Sequence, residues 1–143
     1  MLKMLVPYDN SAASNRALDL LISRKDRYRD TFEIHLINVQ PPIAGGGRVS
    51  SMLGRDAVND YHRDEAMAVL KPGMDKLEAA GMQYVHHITV GDAPELIAKF
   101  CKDQGCDEIV MGTRGMGTAG SLLLGSVAMK TIHFADVPVL LVK

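Results

Sequence analysis

The sequence predicts a single-domain α/β protein whose core is a five-stranded, mostly parallel β-sheet with helices on both faces. Short runs rich in Val, Ile and Leu alternate along the chain with longer stretches of helical periodicity. This alternation is typical of parallel sheets, because two parallel strands need a crossover connection that is usually a helix. The length of 143 residues also suits one domain with a core of ordinary size.

Five apolar runs have the length and composition of buried strands. The run that begins at Phe32 ends before Pro41 and Pro42, because proline cannot donate a hydrogen bond to a strand ladder. All five are far shorter than the roughly 20 apolar residues of a membrane-spanning helix, so we expect no insertion into a membrane. The predicted strands are Lys3–Tyr8, Phe32–Val39, Gln83–Val90, Glu108–Met111 and Val137–Val142.

Four stretches between these strands combine helical periodicity with residues that favour helix boundaries. Asp9 and Ser11 supply turn and N-cap chemistry before the first helix, and Gly81 ends the second. Pro72 and Gly73 lie inside the second stretch, where proline removes a backbone donor, so we expect a kink or a division there. The predicted helices are Ala12–Ser23, Arg55–Ala80, Pro94–Gln104 and Ser126–Phe134.

The segment Ile43–Ser51 contains three glycines and two serines between the second strand and the second helix. This composition is typical of flexible connections, because glycine loses the most conformational freedom on ordering. We therefore predict a mobile connection over these residues, and closing over a bound ligand as a lid is one role for it.

Charge and composition argue against several classes of function. The net charge is -1 and the basic residues are spread along the chain, so no basic stripe is available to bind nucleic acid. The first seven residues lack the apolar region and cleavage site of a secretory signal, and we expect a cytoplasmic protein. Cys101 and Cys106 lack metal-ligand spacing and are expected to be reduced thiols. His86 and His87 are adjacent in one strand and so point to opposite faces, and His35, His62 and His133 fall in separate elements, so no metal site is predicted.

Ligands of such sheets bind beyond the carboxyl ends of the strands, where the strand order reverses. The loops at that edge are residues 7–11, 39–42, 91–94 and 111–126, and the last is the longest and the richest in glycine. Two familiar glycine patterns fit this loop poorly. Gly115-x-Gly117-x-x-Gly120 matches the dinucleotide fingerprint but follows the fourth strand, and Gly120-x4-Gly125-Ser126 has Walker A spacing without its lysine.

A third pattern in the same loop joins Gly112, Gly115 and Gly125 with Ser126. Glycine lacks a Cβ, so the backbone can adopt positive φ and bring N–H groups close to a polyphosphate. Gly125 and Ser126 then open a helix, whose unpaired amides and dipole favour an anion. We interpret the loop as a phosphate-binding segment. The alternative is that its glycines serve only a tight surface connection.

This third pattern resembles the G-x2-G-x9-G-[S/T] signature of the ATP-binding branch of the universal stress protein family. The similarity continues along the chain in Val6-Pro-Tyr-Asp-Asn-Ser11, Asn38-Val-Gln-Pro41, Val90-Gly-Asp-Ala-Pro94 and Val137-Pro-Val-Leu-Leu-Val142. The resemblance spans residues 1–143 and implies a Rossmann-like fold of the adenine nucleotide alpha-hydrolase type, with strand order 3-2-1-4-5.

The resemblance also implies a ligand site. In the ATP-binding members, the aspartate after the first strand contacts the ribose or base, and the residue ending the second strand reads adenine through its main chain. Those positions are Asp9 and Val39 here. Tyr8 and Asn10 depart from the family, where a smaller hydroxyl residue and glycine are common, so the Tyr8 ring would narrow the pocket or stack near the base. The implied site is Pro7, Tyr8, Asp9, Val39, Met111, Gly112, Arg114, Gly115, Gly125, Ser126 and Val127.

The ligand implied by the resemblance is ATP, with any Mg²⁺ held through the phosphates. The implied partners are a second copy paired through Val137–Val142 and an unidentified regulatory protein. No catalytic lysine, paired acid or base accompanies the loop. The hypothesis is therefore a nucleotide-sensing regulator with little or slow hydrolysis. The alternatives are a slow ATPase or nucleotidyl transferase that uses Asp9, and a nucleotide-free scaffold of the same fold.

Overall fold

The computed structural model describes residues 1–113 and 124–143. All five predicted strands are present and form one sheet in the order β3-β2-β1-β4-β5, with every neighbouring pair parallel. The predicted fold class and strand order are thus confirmed. The strands are β1 (Leu2–Pro7), β2 (Phe32–Gln40), β3 (Tyr84–Val90), β4 (Glu108–Gly112) and β5 (Val139–Val142).

Helices cover both faces of the sheet, as predicted. The helices α1 (Ala12–Ser23) and α3 (Arg55–Ala79) pack on one face, and α4 (Ala93–Gln104) and α5 (Ser126–Phe134) pack on the other. Alternate residues of β1 divide between the two cores because successive strand side chains point to opposite faces. One core contains Met4, Val6, Tyr8, Leu18 and Leu70, and the other contains Leu5, Ile37, Ile97, Ile109 and Ala128.

The segment Ile43–Ser51, predicted as a mobile connection, contains a helix that the sequence did not predict. A short helix, α2 (Gly46–Leu53), occupies most of it and has no buried residue. Gly45 and Gly54 flank this helix with φ values of 94° and 84°, a region that glycine adopts without steric cost. Those two glycines therefore bound the helix at its two ends. From composition alone, glycines that bound a helix cannot be distinguished from glycines that make a loop flexible.

Helix α3 is continuous from Arg55 to Ala79 although Pro72 lies inside it, so of the predicted kink or division the division is wrong. A proline leaves the carbonyl four residues earlier without a helical partner. That residue is Ala68, which is exposed along with Pro72, so water can satisfy the carbonyl. No helix within residues 1–113 and 124–143 has both the length and the apolar character that crossing a bilayer requires.

Gly73 gives α3 close access to the aromatic ring of Tyr8. A Cβ at position 73 would lie 2.9 Å from Tyr8 Cζ and 3.0 Å from Tyr8 Cε1. The ring itself is only 2% exposed, so it has little room to move. The glycine and the tyrosine thus complement each other in the core between β1 and α3.

This complementarity predicts that Gly73→Ala destabilises the fold by about 1–2 kcal/mol, because the added methyl collides with a confined ring. A glycine in an unconstrained helix would instead gain about 1 kcal/mol from the same change. Urea unfolding of the two single variants and the double variant Gly73→Ala/Tyr8→Ser measures the coupling. We expect alanine to become harmless once the ring is removed, and equal effects of alanine in both backgrounds would contradict the contact.

Candidate functional site

A cavity of about 290 Å³ opens at the carboxyl edge of the sheet, beyond the ends of β1, β2 and β4. The first turns of α1, α4 and α5 supply the rest of its described wall. Strand order reverses between β1 and β4, so the cavity lies where ligands of open parallel sheets bind. Its size is near the lower end of the range for small-molecule sites.

The residues implied by the sequence converge on this cavity. Nine of the eleven belong to its wall and come from the ends of three strands and the start of α5. The other two, Arg114 and Gly115, lie outside the described residues. The nine are Pro7, Tyr8, Asp9, Val39, Met111, Gly112, Gly125, Ser126 and Val127.

Eight further lining residues were not identified from the sequence. Asn38 and Thr113 adjoin implied residues, and Ala93 lies in the turn after β3 that was assigned to this edge. Ile97 lies one helical turn further on, and only the packing of α4 against the sheet brings it to the cavity. The eight are Ser11, Ser14, Ile37, Asn38, Ala93, Ile97, Thr113 and Ala128.

The turn between β1 and α1 fixes Asp9 at the cavity wall. The backbone N–H of Ser11 donates to Asp9 Oδ1 at 2.9 Å, which closes an Asx turn. The Ser11 hydroxyl then caps α1 by accepting from the backbone N–H of Ser14 at 3.1 Å. Asn10, where the family favours glycine, has φ of 60°, and asparagine is among the few other residues that tolerate this region. The turn is therefore intact despite the substitution.

The Tyr8 ring lies in the core against Gly73, and the residue also forms part of the cavity wall. Its hydroxyl has two acceptors at 3.0 Å, Asn10 Oδ1 and Asn15 Oδ1. Burial raises the pKa of Tyr8, so the phenol remains neutral. Tyr8 thus shapes the site by anchoring the β1–α1 turn.

Asn38 joins the ends of β1 and β2 at the cavity. Its side chain is 4% exposed, and its Nδ2 donates to the Tyr8 carbonyl at 2.8 Å while its Oδ1 accepts from Gln40 Nε2 at 2.7 Å. The Tyr8 N–H donates to the Ile37 carbonyl at 2.8 Å. These bonds fix the position of Val39 at the rim relative to Asp9.

Gly112 is required for packing, which differs from the reason given by its sequence pattern. Its φ is outside the left-handed region. A Cβ at this position would lie 2.5 Å from Ala13 Cβ and 2.7 Å from the Ala13 carbonyl carbon. The absent side chain therefore lets the first turn of α1 lie directly against the end of β4.

The two ends of the glycine-rich loop meet beside the cavity. The Gly125 N–H donates to the Thr113 carbonyl at 2.7 Å, and the Thr113 N–H donates to the Val142 carbonyl at 3.0 Å. Helix α5 begins directly after Gly125, with no acidic residue in its first turn and no side-chain cap among the described residues. Its first amides therefore lack intrahelical acceptors and, with the helix dipole, favour an anion at Ser126 and Val127.

A second hollow of about 260 Å³ continues the site along the groove between α4 and α5. It shares Val39, Ala93, Ser126 and Val127 with the main cavity and reaches Lys130, one turn into α5. The two hollows therefore adjoin each other, and the wall of the second carries the carboxylate of Asp92 and the ammonium of Lys130. Two adjoining hollows can accept a ligand longer than the main cavity alone.

Histidines cluster away from this site. His35 Nδ1 lies 3.0 Å from His87 Nε2, and His35 Nε2 lies 2.9 Å from Glu33 Oε1. Burial is the main factor that lowers the pKa of His87, and it is reinforced by the neighbouring His35. Across residues 1–113 and 124–143, no group of three or more His, Cys, Asp or Glu residues is arranged to hold a metal ion.

Substitutions of Asp9 can distinguish the contribution of its hydrogen bond in the turn from the contribution of its negative charge. Asp9→Asn keeps an Oδ1 acceptor for the Ser11 N–H, whereas Asp9→Ala removes it. We expect Asp9→Ala to lower the free energy of unfolding by about 1 kcal/mol and Asp9→Asn to change it little. Thermal unfolding of both variants without ligand provides the measurement. An equal loss in both would show that the charge, and not the turn bond, is responsible.

The chain matches the profile described as "Universal stress protein family" over residues 1–143. Universal stress protein MJ0577 of Methanocaldococcus jannaschii is 36% identical over 126 residues, covering 88% of this chain and 74% of that protein. The solved structure of MJ0577 matches with a TM-score of 0.79 and 28% identity over a longer alignment, covering 99% of this chain and 94% of that chain.

Two more distant solved structures have the same fold. The universal stress protein from Archaeoglobus fulgidus, in complex with dAMP, matches with a TM-score of 0.69 at 20% identity, covering 100% of this chain and 98% of that chain. A universal stress protein family protein from Arabidopsis thaliana, with AMP bound, matches with a TM-score of 0.68 at 23% identity, covering 100% of this chain and 92% of that chain. At these identities the similarity establishes the fold.

Proposed function

The chain belongs to the universal stress protein family, and from this premise we propose that it binds ATP in the cavity at the carboxyl edge of its sheet and acts as a regulatory nucleotide sensor. The observation that carries the proposal is the uncapped start of α5 at one part of the wall, with the carboxylate of Asp9 at another. Helix amides suit phosphate, and a carboxylate suits ribose hydroxyls.

The nucleotide-bound relatives support the ligand class. The Archaeoglobus fulgidus and Arabidopsis thaliana proteins were solved with dAMP and AMP respectively, and both share this fold over essentially the whole chain. Both ligands consist of an adenine base, a sugar and a phosphate. The groove here is large enough to extend that class to a triphosphate, because the second hollow lies beside Ser126 and Val127.

The residues of the wall suggest a role for each part of the nucleotide. Asp9 accepts from the ribose or base through Oδ2, since its Oδ1 already accepts from Ser11. Val39 presents its main chain to adenine, with Pro7, Tyr8 and Met111 completing the adenosine pocket. The phosphates lie on Gly112, Arg114, Gly115, Gly125, Ser126 and Val127. Any Mg²⁺ would be held through those phosphates and waters.

Retention of the nucleotide is favoured over its hydrolysis. Among the described lining residues, Asp9 is the only carboxylate of the main cavity, which has no lysine, arginine or histidine, and the second hollow adds Asp92 and Lys130 without a histidine. General acid–base catalysis needs a positioned proton donor or acceptor next to the reacting group. The second candidate is a slow ATPase in which Asp9 orients water. Turnover that disappears in Asp9→Ala while ATP affinity persists would favour that second candidate.

Calorimetric titration of protein freed from carried-over ligand tests the proposal. We expect ATP to bind, with ADP, AMP and GTP as the comparison series. Tighter binding of ATP than of AMP would show that the terminal phosphates contribute, and weak GTP binding would show adenine recognition. If none of the adenine nucleotides binds at millimolar concentration, the chain is a nucleotide-free scaffold and the proposal fails.

The edge strand β5 is the surface through which a second copy would pair. It ends the sheet on one side and is half-buried along its whole length. The adjacent α5 exposes Met129 by 58% and Ile132 by 45%, with Val127 and Phe134 also exposed. An apolar edge of this kind is an aggregation hazard unless another chain covers it. We therefore propose a two-fold dimer through Val137–Val142.

A proline at Leu141 should dissociate that dimer. The carbonyls of Pro138 and Val142 accept bonds from β4, so the alternation of the strand directs the Leu141 N–H away from β4. Leu141→Pro therefore removes an outward donor and spares the β4 ladder, whereas Leu140→Pro breaks that ladder. Light scattering should give half the mass for folded Leu141→Pro protein. A dimer of unchanged affinity in Leu141→Pro would place the interface elsewhere.

A further inference from the structure

The carboxyl end of α4 places the two cysteines of the chain next to each other. The Cys106 N–H donates to the Cys101 carbonyl at 2.9 Å, and the Gly105 N–H donates to the Lys102 carbonyl at 3.2 Å. Gly105 lies between these bonds with φ of 62°. This arrangement is a Schellman motif, in which the side chains at the two outermost positions commonly contact each other. Here those two side chains are both thiols.

Both thiols are free and lie in the apolar core beside α4. Cys101 is 2% exposed and Cys106 is 5% exposed. The Cys101 Sγ–H donates to the Cys106 carbonyl at 3.7 Å, so its side chain already points toward Cys106. The pair is therefore held in proximity by the backbone, with no metal ligand or catalytic partner to explain it among the described residues.

The charges around the pair make the two thiols unequal. The ammonium of Lys3 donates to the Gln104 carbonyl at 3.1 Å, which places a cation at the end of α4 beside Cys106. The neighbouring Cys101 thiol, aided by the ammonium of Lys3, lowers the pKa of Cys106 against the opposing effects of burial, Asp107 and Glu33. The Cys106 side chain and burial raise the pKa of Cys101. Cys106 follows the helix end that holds the Lys3 ammonium and is the more exposed of the two, so it is the nucleophile; Cys101, whose Sγ–H points toward Cys106, is the resolving thiol.

We propose that Cys101 and Cys106 are a reversible modification site that forms an intramolecular disulfide on reaction with small peroxides. The Cys106 thiolate attacks one oxygen of hydrogen peroxide, the O–O bond breaks, and a sulfenic acid and hydroxide form. The Cys101 sulfur then displaces the sulfenic hydroxyl, which leaves as water with the Cys101 proton. Two thiols and one peroxide thereby give one disulfide and two water molecules, and an external dithiol reverses the change.

A thin layer of structure covers the pair. Lys102, Asp103, Gln104 and Gly105 are all exposed, and a Cβ at Gly105 would meet no atom within 4 Å. Local unfolding of this last helical turn would expose the two thiols without unfolding the whole domain. A small uncharged oxidant can use such an opening, whereas a bulky disulfide such as oxidised glutathione is disfavoured.

Peptide mapping after mild hydrogen peroxide treatment tests the proposal directly. Trypsin cleaves after Lys99, Lys102 and Arg114, so the two cysteines fall in separate peptides, residues 100–102 and 103–114. We expect the folded protein to lose two hydrogens in mass and to yield these peptides as a linked pair, which dithiothreitol separates.

Phenylarsine oxide, which bridges two neighbouring thiols with release of water, should bind the untreated protein one to one and protect both cysteines from oxidation.

Single variants separate the roles of the two thiols. In Cys101→Ser, dimedone should trap a sulfenic acid on Cys106, and no linked pair should form. Lys3→Gln should slow disulfide formation by up to about tenfold, the change in thiolate fraction for one pKa unit. If treated wild-type protein keeps both thiols open to alkylation after unfolding, or links cysteines only between molecules, and phenylarsine oxide does not bind it, the proposal is wrong.

Discussion

Gly112→Ala is expected to lower the free energy of unfolding by about 2–3 kcal/mol, a large fraction of the stability of a domain of this size. The added Cβ would meet the Cβ and the carbonyl carbon of Ala13 at 2.5 and 2.7 Å, and the Ala13 oxygen at 3.0 Å. Two of these atoms are backbone, so relief requires moving the first turn of α1. Urea unfolding monitored by far-ultraviolet circular dichroism measures the loss.

The matched control is Gly47→Ala in α2, where an added Cβ would meet nothing within 4 Å. That change should be neutral or stabilise by up to about 1 kcal/mol, because alanine favours a helix. Adding Ala13→Gly to Gly112→Ala should rescue only part of the loss, since the backbone atoms of residue 13 remain. Equal behaviour of Gly112→Ala and Gly47→Ala would mean that the close approach of α1 to β4 is not maintained.

The sheet was predictable because its strands are short, apolar and separated by clear boundary residues. Strand ends moved by at most two residues, as at β5, which begins at Val139 instead of Val137. Helix α2 was not predictable from composition, because Gly45 and Gly54 stop a helix at its ends in the same way that they would loosen a loop. Pro72 likewise predicted a kink or a division, and the exposure of Ala68 and Pro72 to water explains why the helix is not divided.

The convergence of the implied residues on one cavity was largely predictable because four loops meet at one edge of a parallel sheet. Sequence patterns identified the residues but not always the reason why each is needed. Gly112 fits a phosphate signature, yet Ala13 fills the space that a side chain at position 112 would take. The hydrogen bond between His35 and His87 was missed because it depends on the register of β2 and β3, which brings Ile37 opposite His87 and so places His35 diagonally from it. Such contacts depend on register.

One consequence of this geometry is that stability and binding can be tested at different residues. Gly112 and Asn38 support the fold and the wall together, so their substitution cannot separate the two properties. Ser126 can, because it is exposed, lines both hollows and stands at the start of a helix without a cap among the described residues. A negative charge placed at residue 126 should stabilise the start of α5 and repel a bound phosphate.

Ser126→Glu should therefore leave the fold intact and weaken ATP binding by about a hundredfold or more. A carboxylate in the first turn interacts favourably with the amides and dipole of α5, by about 0.3–1 kcal/mol. The same carboxylate would occupy the anion position and repel a triphosphate, and one unit charge pair at 4 Å is worth about 4 kcal/mol at a surface. Calorimetry with ATP, AMP and adenosine, together with thermal unfolding, measures both effects.

The relative losses of affinity for ATP, AMP and adenosine distinguish charge repulsion from steric blocking of the cavity. If phosphates lie at the start of α5, the loss should be largest for ATP, smaller for AMP and absent for adenosine, and it should shrink at high salt. Ser126→Gln, of nearly the same size but neutral, should bind ATP far better than Ser126→Glu. An equal loss for adenosine would mean that the longer side chain blocks the cavity. Unchanged ATP affinity in Ser126→Glu would exclude α5 as the phosphate site, because an added negative charge beside bound phosphates cannot be without effect.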